Sequence, residues 1–127
     1  MSEWAGYIPF KGNFSEIESF LGTSLPDDLK YVIENYNKGC PLKSSFSFGN
    51  DESDEIDRFI SFNKGGASNI YDYFIDDIKE RKMIPFATTE NNNILCLKDG
   101  KVIVYNVEND KETNLCSSVT ELLQMLK

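Results

Sequence analysis

Apolar residues recur along this chain with two different periods. Leu29, Val32, Ile33 and Tyr36 fall at the i, i+3, i+4, i+7 spacing of one helical stripe. Upstream, Ser15-Glu16-Ile17-Glu18 fits a capping box that opens a shorter helix ending near Leu21. Gly22 ends that helix by taking a positive φ, and Pro26 opens the next at its first position, where a missing N–H is no loss. Asp27 and Asp28 then sit at the positive end of the helix dipole, and Asn37 with Gly39 supplies the stop.

From Phe46 the period becomes two. Phe46 and Phe48 alternate with serine, and Phe59-Ile60-Ser61-Phe62 predicts a second strand. The intervening Asn50-Asp51-Glu52-Ser53-Asp54-Glu55 reads as an exposed connection, too charged for an interior. After Gly65-Gly66, the residues Ile70, Tyr73, Phe74 and Ile78 predict a third amphipathic helix with Asp72, Asp76, Lys79 and Glu80 on its wet side. Pro85 forces Ile84 toward an extended conformation, so that helix is over by then.

The sharpest local signal is Ile94 to Tyr105, where two β-rich runs flank Asp99-Gly100. A two-residue type I′ turn pairs Leu97 with Val102 and Cys96 with Ile103. Ser118 and Glu121 form a second capping box, before a C-terminal helix whose inner face is Val119, Leu122, Leu123 and Leu126. No alternating βαβ pattern is present. The pattern predicts one α+β domain over residues 1–127, a single central antiparallel β-sheet (a meander) with about four helices packed against it.

Composition narrows the chemistry. The 127 residues include no histidine, so Ser-His-Asp and Cys-His machinery is impossible and the commonest metal ligand is missing. Cys40, Cys96 and Cys116 are widely spaced with no CxxC pair, and read as small buried thiols rather than a disulfide framework or zinc site. The acidic run at 50–57 has carboxylates dense enough for acid–base work but reads as solvated, and it lacks the central glycine and terminal glutamate of a calcium loop. "NKGG" has no downstream Lys-Ser/Thr and makes no phosphate cradle. Trp4, Tyr7 and Phe10 are read as packing against the sheet, with an interface anchor as the other reading. These features predict neither an enzyme nor a cofactor or metal site.

A formal charge of −8 disfavours direct nucleic-acid binding and favours attraction of a basic protein. No apolar run approaches the roughly 20 residues of a membrane span, and no basic leader with an apolar stretch opens the chain, which places it in the cytoplasm.

Three stretches taken together carry a resemblance: "IESFLGTSLPDDLKYVIENYNKG", "MIPFATTENNNILCLKDGKVIVYNVE" and the closing "SSVTELLQMLK". In that order they resemble the SUKH superfamily (SMI/KNR-like domains), whose members include bacterial immunity proteins and related yeast cell-wall-synthesis regulators. The landmarks are Leu21-Gly22, Leu25-Pro26, Gly39, Ile84-Pro85-Phe86-Ala87, Ile94, Asp99 and Val102. The chain departs from the family pattern at Thr88 to Asn93, where an Asp-Gly-Gly or Gly-Asn pair is common. The resemblance implies a non-enzymatic immunity protein that neutralises a cognate toxin, often a nuclease; the alternative is a regulatory domain with an endogenous partner. On charge alone, the expected partner contacts are Asp51, Glu52, Asp54, Glu55, Asp72, Asp76, Asp77 and Glu90, with Tyr71 as an anchor. A homodimer stays open.

Overall fold

The computed structural model describes residues 3–127. Helix α1 spans Phe14–Leu21 and α2 spans Asp27–Tyr36. Asn13, not Ser15, caps α1, its Oδ1 accepting from the Glu16 amide at 3.3 Å. Glu18 is thereby freed from the expected capping box and bridges the break instead, accepting from the Leu25 amide at 2.6 Å and pairing with Lys30 at 3.3 Å. Those donors hold its carboxyl below the usual range, the Leu25 amide above all. Gly22 takes the left-handed conformation, φ 79°, and its N–H closes onto the Glu18 carbonyl. Pro26 sits one position earlier than expected, as the residue before α2 with extended backbone.

The stop after α2 also works differently. Lys38, not Gly39, takes the positive φ. Asn37 is buried, receiving the Phe62 amide at 2.9 Å and donating to Ser61 Oγ at 3.2 Å. Gly39 is required for space: an added Cβ would lie 2.8 Å from the Tyr36 carbonyl oxygen and 3.3 Å from the Trp4 ring.

Two short strands, β1 (Trp4–Ala5) and β2 (Cys40–Pro41), pair in a small ribbon of their own. The remaining strands are β3 (Ser45–Phe48), β4 (Glu52–Phe59), β5 (Ile84–Thr89), β6 (Asn93–Lys98), β7 (Lys101–Asn106) and β8 (Lys111–Cys116). They form one six-stranded antiparallel meander in chain order. It curls until β3 and β8 approach each other, and Lys127 exchanges both backbone hydrogen bonds with Ser45 at the β3 edge, at 3.0 and 3.2 Å. Among the described residues the fold is therefore α+β with a large antiparallel sheet, a second two-stranded sheet, and five helices where about four were expected.

The expected third helix is two, α3 (Ile70–Tyr73) and α4 (Asp76–Glu80), because Phe74 and Ile75 leave helical geometry between them. The predicted strand at 59–62 ends at Phe59. α5 spans Val119–Met125 behind its expected Ser118 cap, and Asp28 ties it to α2 by accepting from the Thr120 amide at 2.9 Å. The β6–β7 hairpin has the predicted register, with Asp99 and Gly100 both at positive φ.

That hairpin is apolar at nearly every position because both faces of the sheet are covered. Leu95, Leu97, Val102 and Val104 join the main core with Ile17 of α1, Leu29 and Ile33 of α2 and Leu122 of α5. Ile94, Cys96, Ile103 and Tyr105 form a second, smaller core with Ile78 and Met83 around α4. The face bearing α4 is called the outer face below.

Candidate partner-docking surface

The acidic run is a strand, not a loop. Asp54 and Ile56 turn inward while Ser53, Glu55 and Asp57 are exposed, which is the period-two alternation of a half-buried strand. Strand pairing sets Arg58 opposite Thr88 and Thr88 opposite Ile94, and a bulge lies between Ile56 and Arg58. Residues directly opposite share a face, so Glu55, Arg58 and Thr88 lie on the outer face with α4. Glu90 follows at the end of β5, its amide donating to the Glu55 carbonyl at 2.9 Å.

These carboxylates converge on Cys40. Its Sγ lies 3.5 Å from the Ile56 carbonyl oxygen. Burial first, then the charges of Asp57 and Glu90, with Glu55 contributing least, push its thiol pKa up. Among the described residues only Asp57 of these carboxylates carries a cation within ion-pair reach, Arg58 at 3.8 Å, and both are exposed.

A second acidic group lies on α3 and α4. Asp72, Asp76 and Asp77 are exposed, and the negative charge of Asp77 reaches Tyr105 on β7. Beside them two cations, Arg81 and Lys98, are paired. Arg81 bonds Glu112 at 2.8 Å, Lys98 bonds the same carboxylate at 2.7 Å, and Tyr105 donates to Asp110 at 2.6 Å. That last bond, with burial, pushes the Tyr105 hydroxyl up to about 12.

The nine expected contact residues thus divide. Asp51 and Glu52 lie at the β3–β4 turn, Glu55 and Glu90 on the outer-face strand edge, and Asp72, Asp76 and Asp77 on the two short helices. Asp54 does not belong with them. It is 5% exposed and its oxygens are filled by Thr89, Asn91 and Asn93, so it holds the fold and offers nothing to a partner. Tyr71 faces a cleft with Lys64 and Glu16, against the Phe20 ring at 4.7 Å. Asp57, exposed two residues after Glu55, lies near the same thiol.

Among the described residues no group of three His, Cys, Asp or Glu could hold a metal ion, and no helix is long and apolar enough to cross a membrane. The sequence model described as the SMI1 / KNR4 family (SUKH-1) matches residues 11–125. The chain belongs to the SMI1 / KNR4 family. In SUKH-1 terms the match takes in all five helices and the whole six-stranded sheet, and leaves out the β1 strand. No curated protein and no solved structure matches this SUKH-1 chain.

Proposed function

We propose that this SUKH-1 domain is a non-enzymatic, cytoplasmic immunity protein that binds a cognate toxin domain, a nuclease in the first instance, through its acidic outer face. Family membership over residues 11–125 carries this reading. The charge distribution agrees with it: a nuclease presents cations to hold phosphates, and Glu55, Asp57, Glu90, Asp76 and Asp77 offer carboxylates in their place. The protein's own nearby Arg81 and Lys98 pair with Glu112 and Asp110, which offsets their charge, while Lys79 and Lys82 stand exposed beside Asp76 and Asp77.

The test is co-expression with whatever toxin domain a gene adjoining this one encodes. A stable complex in which the toxin loses activity supports the proposal. Failure to bind that toxin, together with recovery of a resident regulatory protein instead, would replace immunity by the regulatory role of the eukaryotic relatives.

A further inference from the structure

A cleft of about 680 Å³ opens between the entrance to α1 and the loop from Ser61 to Ala67. That volume lies within the range of small-molecule sites. Its charge runs against that of the protein. The chain carries −8, yet the charged residues lining this cleft are Lys11, Lys38 and Lys64 against Glu16 alone. Lys64 pairs with Glu16, and among the described residues Lys11 and Lys38 have no carboxylate partner. Lys38 is also half-buried. An ammonium with no carboxylate partner is available to donate charge-assisted hydrogen bonds to a bound anion.

The walls are tied together in advance. Asn63 accepts from the Lys11 amide at 2.7 Å and donates to the Pro9 carbonyl at 3.0 Å, which straps the N-terminal segment to the loop. Ser61, 3% exposed, lines the cleft as well. Its Oγ accepts from Asn37 Nδ2 and from the Asn63 amide, both at 3.2 Å, which leaves its own hydrogen to donate. Ile8, Phe62 and Tyr71 supply apolar surface beside these polar groups.

We propose that this cleft binds a phosphate monoester of a small molecule, the phosphate facing Lys11, Lys38 and the Ser61 hydroxyl and the organic part lying against Ile8 and Tyr71. Two uncompensated positive charges match a phosphate monoester, which carries about −1.5 to −2 at neutral pH; a single carboxylate leaves one of them unanswered. The proposal does not depend on toxin binding, since the outer-face carboxylates do not line this cleft.

The experiment is amide chemical-shift titration of the full chain with adenosine monophosphate, inorganic phosphate and adenosine. Adenosine monophosphate is expected to shift Lys11, Asn63, Gly65 and Gly66 at millimolar concentration or below, inorganic phosphate more weakly, and adenosine not at all. The Lys11→Gln/Lys38→Gln variant is expected to lose about tenfold or more in affinity, in line with removal of charge-assisted hydrogen bonds. The single Lys11→Gln variant, at an exposed position, carries the same test if the double variant folds poorly. Shifts that survive both substitutions, shifts equal with adenosine, or no shift with either phosphate compound would overturn the proposal.

Discussion

Asn93 Nδ2 donates to Asp54 Oδ2 at 2.9 Å across the β4–β5–β6 end of the sheet, with both side chains buried. Asp54 also receives the Thr89 hydroxyl, the Asn91 amide at 3.1 Å and the Glu55 amide at 2.8 Å, so four donors surround one carboxylate without a cation. Thr89 Oγ1 in turn accepts from the Asn93 amide at 3.0 Å. The Thr88–Asn93 stretch, where the chain departs from the family pattern, is thus the cap over Asp54. Asp54→Ala strands those donors in a dry site and is expected to cost about 3 kcal/mol. Asn93→Ala is expected to cost about 1–2 kcal/mol, and the double variant less than the sum, because the two share one network. Urea denaturation of the three variants checks this. A loss below about 0.5 kcal/mol for Asp54→Ala would remove the network from the fold's support.

The same network marks the limit of what local sequence pattern reveals. The β6–β7 hairpin was legible down to its register, since Asp99-Gly100 requires positive φ at both positions and the flanking runs are apolar on both sides. The Asp51–Glu55 run was not, because its charge density masks the alternation of a half-buried strand. Asp54 and Ile56 share a face, and a carboxylate can be buried when enough donors meet it. Three of the four donors lie 35 to 39 residues away, a distance that local pattern does not span. β8 was missed for a related reason: Glu112, Thr113 and Asn114 are polar, and the strand is defined by pairing with β7 rather than by its own apolar period. The acidic set was legible as charge, but Asp54 is buried, because strand parity decides exposure there.

Thiol reactivity reads the convergence on Cys40 directly. Cys96 is buried and its pKa is pushed far up by desolvation, so it should stay unreactive while the protein is folded. Cys40 is held up by burial together with Asp57 and Glu90. Removing those charges lowers its pKa and raises the thiolate fraction. Asp57→Asn/Glu90→Gln is therefore expected to speed modification of Cys40 by a disulfide reagent at mildly alkaline pH and low salt by about threefold or more, and to leave Cys116 unchanged. Equal rates before and after would mean that the carboxylates do not face the thiol.

Acid stability should carry the mark of Glu112. Lys98 foremost, joined by Arg81, holds its carboxyl below the usual range, against an opposing effect of burial second only to the Lys98 hydrogen bond. A depressed folded-state pKa stabilises the protein above the unfolded value, about 4.3 for glutamate, and that contribution is lost as pH falls through the folded value. Glu112→Gln is thus expected to cost roughly 1 kcal/mol at pH 7 and progressively less below about pH 4.3. Denaturation across pH 3 to 7 tests it; a deficit that stays constant over that range would show that the ion pairs are not what the substitution removes.

Association kinetics separate a placed acidic face from mere net charge. Glu55→Gln, Asp57→Asn, Asp76→Asn and Asp77→Asn together remove four exposed carboxylates from the outer face without touching either core. Attraction between opposite charges acts mainly on the encounter rate and is screened beyond about 10 Å at 0.1 M salt. With the cognate toxin domain, the variant is expected to associate about tenfold more slowly at low ionic strength. That gap should close as salt rises, with dissociation little changed. The control is a variant neutralised at Asp27, Glu34 and Glu121, exposed residues on α2 and α5, the helices that cover the opposite face. If that variant slows binding as much per charge as the outer-face set does, only the overall charge matters. The outer face would then have no claim to be where the partner docks.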